Sequence, residues 1–228
     1  YDDGSGIQLG LSAGGTAIHM SEHFITLPYY PPEELTFGVL INRLGQRFVS
    51  EDSYHARVGH AAMQQPGQEV YLIVDDSCFH QPDINNFVDQ MPRPNLSMEH
   101  VATAETIQDL ESSLGLPETA LQATFALYNQ ASANGKDPLF HKHSDWLRPL
   151  TQPPYAAFDL SLGKAPYLAF TLGGLFTRPT GEVLDASGGV VPGLFAAGRN
   201  TCGLPRHADG YASGLSVGDA TFFGRLAG

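Results

Sequence analysis

Two hydroxyl side chains near the C-terminus, in Tyr211-Ala-Ser213, are of types that move protons in enzymes. A phenol has a pKa of about 10 in water, so it needs a neighbouring donor or a positive potential to act as a base near neutrality. Ser213 could donate a hydrogen bond to the phenolate of Tyr211, and a helix that begins just beyond would add positive potential. A packed loop tyrosine beside a helix-capping serine is the alternative, and these two residues alone leave both interpretations open.

Other side chains could bind a metal ion, yet their patterns are weak. His141 and His143 form a His-x-His pair in a predicted loop, and without further ligands we interpret this segment as a solvated stretch. Asp75 and Asp76 follow a predicted strand and could bind a cation, although carboxylates commonly end strands. The sequence therefore predicts no metal site.

The elements that must position Tyr211 and Ser213 are a strand, a glycine turn and a helix. Pro192-Gly-Leu-Phe-Ala-Ala-Gly198 is an apolar segment that predicts a buried strand ending on glycine. The residues after Ser213 predict an apolar helix with Arg225 near its end. Small residues at the helix start would let backbone N–H groups approach a flat or anionic ligand. A close-packed helix start without a ligand is the alternative.

Periodicity and turn residues predict both helices and strands in the rest of the chain. Residues 4–20 predict a small-residue helix that stops at Gly14-Gly15. The other predicted elements are strands at 37–41, 47–50, 69–75, 167–174, 176–181 and 182–184, and helices at 55–63, 104–114 and 117–135. The first two strands are predicted to form a β-hairpin, and Thr103 is predicted to be the N-cap of the 104–114 helix.

The composition excludes several classes of protein. A formal net charge of −12 argues against nucleic acid or an anionic membrane as partner, because phosphate repels such a surface. No apolar run is long enough to predict a membrane span. Cys78 and Cys202 have no CxxC spacing, which predicts two buried thiols and a reducing cytoplasm. The chain starts without Met or a signal-peptide pattern, so we expect it to be cut from a larger protein.

Segments of the chain resemble the fumarate reductase and 3-ketosteroid dehydrogenase flavoproteins. They are the C-terminal segment 192–228, the segment Gly38–Tyr54 with its Asn-x-x-Gly-x-Arg-Phe pattern, and residues 4–6, where the family has Asp-Gly-Ser-Gly-Ile. The dinucleotide fingerprint Gly-x-Gly-x-x-Gly, with which this family normally opens, is absent from the chain.

The resemblance implies FAD as cofactor and an α/β fold. A partial Rossmann-like FAD-binding domain, in residues 1–24 and 156–228, would carry an α+β cap domain inserted at residues 25–155. In this family backbone amides at the start of the last helix face the pyrimidine edge of the flavin. Arg199 stands where many relatives have an acidic residue for the ribose, so Arg199 or Asn200 is expected to reach a phosphate or hydroxyl instead. The implied cofactor-binding residues are Gly198, Arg199, Asn200, Gly214, Leu215, Ser216 and Val217.

The residues that hold substrate carboxylates in fumarate reductases are replaced in this chain. A buried carboxylate without partners costs several kcal/mol, and those enzymes supply an arginine and a histidine for it. The corresponding residues here are Tyr211 and Phe170. The resemblance therefore implies that the substrate is a flat, apolar ketone of the 3-ketosteroid kind rather than a dicarboxylate.

The resemblance is closest to the 3-ketosteroid dehydrogenases of the Δ4 type, which place a tyrosine and a serine at the flavin. It implies that Tyr211 removes a proton alpha to the carbonyl with help from Ser213, while hydride passes to flavin N5. It also implies that Tyr54 from the cap polarises or protonates the substrate. Electrons then pass to an acceptor, whose identity the sequence leaves open. The alternatives are a flavin-dependent reductase of an activated C=C bond, and an inert fragment or binding module without the ADP-binding half.

Overall fold

A computed structural model of the chain describes residues 3–27, 29, 33–79, 99–165 and 167–228. The chain divides into two compact units. Residues 1–25 and 169–228 form the first, which we call the terminal unit. Residues 26–168 form the second, which we call the central unit. Helices and strands occur in both units.

The elements are numbered in chain order over the described residues. The helices are α1 (Ser5–Ser12), α2 (His55–Met63), α3 (Asp76–Phe79), α4 (Ile107–Ser113), α5 (Ala120–Ala133) and α6 (Leu215–Ala227). The strands are β1 (Ala17–Ile18), β2 (His23–Thr26), β3 (Val39–Asn42), β4 (Val70–Asp75), β5 (Glu99–Ala104), β6 (Tyr155–Asp159), β7 (Leu168–Thr171), β8 (Gly174–Leu175), β9 (Glu182–Leu184) and β10 (Val190–Phe195). Between them lie 3-10 turns at Glu33–Phe37, Pro66–Gln68, Ser144–Trp146, Gly198–Asn200 and Ala208–Gly210.

A four-stranded antiparallel sheet in the order β3-β4-β6-β5 forms the core of the central unit. Leu72 and Ile73 are neighbours in β4 and therefore point to opposite faces, yet both are fully buried. The sheet is thus covered on both faces. Leu121, Phe125 and Tyr128 share one face of α5 and belong to the same hydrophobic core. This core confirms the strand and the helix that apolar periodicity predicts at β4 and α5.

The prediction of a second hairpin strand at residues 47–50 is wrong. Arg47 forms an isolated bridge with Ile41, and the chain then bends and turns at residues 49–53. Instead, β3 pairs along its whole length with β4. The turn brings the carboxylate of Glu51 into the interior, where it is fully buried, and this inward path prevents the segment from continuing along the sheet.

The helix predicted at 104–114 begins later, at Ile107, and Thr103 is not its N-cap. Thr103 lies in β5, where it pairs with β6. Thr106 is the N-cap instead, and its hydroxyl accepts the N–H of Asp109 at 3.1 Å. Pairing across the sheet therefore outweighs the capping preference of the earlier threonine.

The second boundary between the units lies later than the sequence predicts. The chain passes from the central to the terminal unit at residues 168–169, rather than near residue 155. The reason is β6, which the sequence does not predict. It pairs with β4 on one side and β5 on the other, so it is an inner strand of the central sheet.

The terminal unit contains α1 and α6 together with short strand pairings, which include β1 with β8 and β9 with β10. The first helix ends before Gly14 as predicted, and the φ of 96° at this residue favours glycine. A Cβ on Gly10 would collide with Leu175, so the small residues of α1 permit close packing. The predicted strand at 192–198 corresponds to β10, but its side chains are half-buried or exposed. Within the described residues, β10 pairs with β9 alone.

Cys78 and Cys202 are free and buried, as the sequence predicts. Burial raises the pKa of both thiols, which is typical of unreactive structural cysteines. Among the helices that the structure describes, none has the length and hydrophobicity needed to cross a bilayer.

The N-terminus of α5 is capped by a side chain from α4. Thr119 occupies the N-cap position with a φ of 64° and makes no side-chain cap. The buried carboxylate of Glu111 instead accepts the N–H groups of Thr119 at 2.8 Å and Leu121 at 2.7 Å. Burial opposes the ionisation of Glu111, but hydrogen bonds from Gln122 and the backbone hold its pKa below the ordinary value of 4.5.

Glu111→Gln is expected to lower the free energy of unfolding by about 1–3 kcal/mol at neutral pH, because an amide replaces a carboxylate that accepts charge-assisted bonds. The folded-state pKa of Glu111 is depressed, so its stabilisation is complete above about pH 4.5 and is lost as the pH falls through the lower folded value. Urea unfolding should therefore show a difference between wild type and variant that shrinks below this pH. The exposed Glu118→Gln is the matched control, with an expected cost below about 0.5 kcal/mol. A difference that ignores pH, or equal costs, would contradict the capping role.

Candidate functional site

Tyr211 lies in the loop before α6, where its phenol is hydrogen-bonded to Ser216. The two hydroxyl oxygens are 2.9 Å apart. The sequence suggests Ser213 as the partner, but Ser213 is exposed, and within the described residues the bond of the phenol goes to Ser216. The backbone adopts a left-handed conformation at Gly214, with a φ of 92°. The first turn of the helix then brings Ser216 back beside the tyrosine.

Phe24, Phe170 and Tyr211 of the terminal unit pack together. The rings of Phe24 and Phe170 are stacked, with centroids 4.5 Å apart and an interplanar angle of 17°. The Tyr211 ring lies 4.4 Å from Phe24 and 5.5 Å from Phe170, centroid to centroid. Such contacts are favourable for aromatic pairs, so two phenyl rings hold the plane of the phenol. Phe170, which the sequence places at a substrate-anchoring position, belongs to this aromatic cluster.

The loop after β10 carries Arg199 and Asn200, which the sequence proposes for cofactor binding. The Arg199 guanidinium lies over the ring of Phe170, 4.2 Å from its centroid, and thereby brings a positive charge to the aromatic cluster. Asn200 packs against α1, where a Cβ on Gly6 would collide with its side chain. Gly198 begins the loop with a φ of 64°. The three residues therefore lie on one short turn beside the aromatic cluster.

The start of α6 has the features of a backbone N–H site. Its N-cap is Gly214, which supplies no side-chain cap. The N–H of Leu215 donates to the carbonyl of Ala212 at 3.2 Å, so within the described residues the N–H groups of Ser216 and Val217 remain for another acceptor. Leu215, Ser216 and Val217 form this turn, and Val217 is 70% exposed. Glycine lets a planar ligand approach the backbone closely, and the positive end of the helix favours negative charge. These residues fit the pyrimidine edge of a flavin.

Asp219 supports the same region, and the sequence gives no signal for its role. It is buried in α6, and its carboxylate accepts the N–H of Leu204 at 3.0 Å. A Cβ on Gly203 would come within 2.6 Å of this carboxylate. Asp219 therefore fixes the loop before Tyr211 against the helix.

Tyr54 lies in the central unit, immediately before α2, and is half-buried. Its ring packs on His55, with centroids 4.2 Å apart. The Nδ1 atom of His55 is hydrogen-bonded to the hydroxyl of Thr26, and its backbone carbonyl accepts the N–H of Leu27 at 3.2 Å. Burial lowers the pKa of His55. The start of α2, and with it Tyr54, is thus tied to the chain near the unit boundary.

A buried ionic cluster fixes the segment before Tyr54. Glu51 is fully buried and receives two hydrogen bonds from Arg47, at 3.0 and 2.7 Å. Lys142 Nζ lies 3.3 Å from the same carboxylate, and Arg47 also binds Asp137 at 2.9 Å. The carboxylate of Glu51 also accepts the N–H of Leu40 at 3.0 Å. Two cations and two carboxylates balance each other in this cluster.

The surroundings of the cluster explain how its charges are tolerated. The Arg47 guanidinium lies over the rings of Tyr128 and Phe140, 4.9 and 5.0 Å from their centroids. Burial opposes its charge, but the ion pair with Glu51 raises the pKa of Arg47. Burial lowers the pKa of Lys142, against the attraction of Glu51. This cluster is not predicted from the sequence, because the pattern around Lys142 indicates a solvated stretch.

The described residues contain no group of three or more His, Cys, Asp or Glu side chains arranged to hold a metal ion. The carboxylate of Asp75 is buried and accepts the N–H groups of Thr151 and Gln152, each at 3.0 Å. His143 interacts with Asp145 at 3.5 Å. These side chains thus have structural partners within the fold.

The chain matches the FAD binding domain family over residues 2–214 and belongs to this family. FAD is the cofactor that defines the family, and the sequence-based prediction of an FAD flavoprotein is confirmed. The segments on which the prediction depends lie mostly within the matched residues.

Known relatives agree with both branches of the predicted resemblance. A 3-oxo-5-alpha-steroid 4-dehydrogenase from Comamonas testosteroni is 31% identical over 86% of this chain and 39% of its own length. A probable fumarate reductase from Shewanella frigidimarina is 32% identical over 84% of this chain and 30% of its own length. The chain therefore spans about a third of the length of these relatives.

A solved structure shows the same fold. The 3-ketosteroid Δ4-(5α)-dehydrogenase from Rhodococcus jostii, in complex with 4-androstene-3,17-dione, is 40% identical to this chain with a TM-score of 0.85. The match covers 99% of this chain and 44% of that one. The predicted α/β fold class is confirmed.

Proposed function

We propose that this chain is part of an FAD-dependent oxidoreductase that acts on the CH–CH group of a 3-ketosteroid. The observation that supports this proposal most directly is the aromatic cluster around Tyr211. At Tyr211 and Phe170 the cluster offers a phenol and a phenyl ring, and the phenol already has a hydrogen-bond partner. Such a surface suits a flat apolar ketone. The 40% identity to a structure that contains a steroid supports the same substrate class.

In the proposed reaction Tyr211, as its phenolate, takes a proton from the carbon next to the ketone. The electron pair of that C–H bond forms the new C=C bond, and the neighbouring carbon loses a hydride. FAD, when bound, accepts this hydride and its two electrons. The residues proposed to hold FAD are those already described on the turn after β10 and at the start of α6.

Ser213 and Tyr54 are proposed to assist the same reaction. Ser213 lies in the loop that carries Tyr211, two residues after it, and is exposed. The role of Tyr54, to polarise or protonate the ketone, depends on the motif that precedes it and on its fixed position before α2. The free thiols Cys78 and Cys202 support a reducing compartment, and we propose the cytoplasm.

The decisive experiment is anaerobic reduction of the FAD-loaded protein by a panel of 3-ketosteroids. We expect bleaching of the flavin absorbance by saturated 3-ketosteroids and no reoxidation of the reduced flavin by fumarate. Reoxidation by fumarate or another activated alkene, without bleaching by any steroid, would contradict the proposal and favour a C=C reductase. A protein that stays colourless after incubation with FAD would favour an inert module instead.

A further inference from the structure

We propose that Ser216 is the positioning residue of Tyr211. Its hydroxyl would orient the phenol and donate a hydrogen bond to it whenever the phenol oxygen carries negative charge. This inference rests on the proposed function, in which Tyr211 contacts the substrate. The Ser216 side chain would thus have a role separate from that of its backbone N–H, which lies in the first turn of α6 and is proposed to face the flavin.

The geometry fixes both ends of this hydrogen bond. The Tyr211 ring packs against Phe24 and Phe170, with centroids 4.4 and 5.5 Å away, so the direction of its C–O bond is set by neighbouring rings. Ser216 is held by the first turn of α6, in which the N–H of Gly218 binds the carbonyl of Gly214 at 2.8 Å. The two oxygens then meet at 2.9 Å, an ordinary distance for a bond between hydroxyls.

The surroundings favour donation from the serine to the phenol. The start of α6 supplies a positive partial charge without a side-chain cap to neutralise it. Negative charge on the Tyr211 oxygen is therefore stabilised by the helix end and by the Ser216 hydroxyl together. Ser213, by contrast, precedes the helix and is exposed, and the hydrogen bond of the Tyr211 phenol goes to Ser216.

A test that does not depend on turnover uses protein labelled with carbon-13 at the tyrosine Cζ atom. The Tyr211 resonance is assigned from its loss in Tyr211→Phe. Ser216→Ala should displace this resonance, Ser216→Thr should restore it, and Ser213→Ala should leave it in place. The other tyrosine resonances report whether each variant is folded, and Ser216→Cys replaces Ser216→Ala if the alanine variant does not fold. An unmoved resonance in the folded Ser216 variant, or displacement by Ser213→Ala alone, would overturn the proposal.

A kinetic test then separates positioning from binding. With a 3-ketosteroid that reduces the wild type, Ser216→Ala should lower kcat about tenfold, the size expected for one hydrogen bond, with KM within about twofold. In the Tyr211→Phe background the same change should have little further effect, because the bond is already absent. An equal loss in both backgrounds would assign the effect to the flavin site instead. If no ketosteroid reduces the wild type, the proposed function fails, while the resonance test still decides whether Ser216 holds Tyr211.

Discussion

Tyr211→Phe is expected to lower kcat of the FAD-loaded enzyme with a 3-ketosteroid at least about a hundredfold, because it removes the group that takes the substrate proton. The phenyl ring keeps the contacts with Phe24 and Phe170, so the local packing survives. A loss of this size corresponds to about 2.7 kcal/mol of activation free energy. Single-turnover bleaching of the flavin measures it directly, since the rate of later reoxidation does not enter.

The control for this prediction is Tyr71→Phe, which removes a phenol hydroxyl in the central unit. Tyr71 is half-buried in β4, and no role in binding or catalysis is proposed for it. We expect unchanged bleaching in Tyr71→Phe and an unchanged flavin spectrum in both variants. A Tyr211→Phe enzyme that bleaches at the wild-type rate would exclude Tyr211 as the base. A variant that loses its flavin would show instead that the phenol supports cofactor binding.

Strongly periodic elements of the fold could be predicted from the sequence, and elements defined by pairing could not. β4 is a continuous apolar run, and α5 repeats apolar residues on one face, so burial follows from local pattern. β5 has no such run: its sequence, Glu99–Ala104, mixes polar and small residues, and it is a strand because β6 lies beside it. The sequence predicts Thr103 as a helix cap for the same reason, because a capping preference is visible in the sequence and strand pairing is not.

Within the candidate site, residue types could be predicted but contacts could not. The sequence identifies Tyr211 and the helix start after Gly214, yet the tyrosine pairs with Ser216 rather than Ser213. That choice depends on the left-handed turn at Gly214, which places the first helical turn beside the phenol. The burial of Lys142 could not be predicted from the sequence for a similar reason. The exposed histidines on either side suggest a solvated stretch, while the buried lysine is held by distant Glu51.

Glu51→Ala should lower the free energy of unfolding of the central unit by about 3–5 kcal/mol, the cost of breaking a buried ion pair by removing one partner. Arg47 would retain Asp137, but Lys142 would lose its carboxylate, and its remaining hydrogen bonds within the described residues go to the carbonyl of Gly38, at 2.7 Å, and the Tyr128 hydroxyl, at 3.3 Å. A buried ammonium without a carboxylate in direct contact is unfavourable. Urea unfolding at neutral pH, followed by far-UV circular dichroism, measures the loss.

Two further variants distinguish a buried uncompensated charge from the simple loss of a glutamate. Glu69→Ala removes a carboxylate that lies 3.6 Å from Arg43, where the two side chains are 46% and 50% exposed, and should cost less than about 1 kcal/mol. Adding Lys142→Met to Glu51→Ala should recover part of the stability, since the unpaired ammonium is replaced by an apolar chain. Equal costs for the Glu51 and Glu69 variants would show that the cluster contributes nothing beyond a surface pair. No recovery in the double variant would place the cost in lost hydrogen bonds to Leu40 and Arg47, rather than in the stranded charge of Lys142.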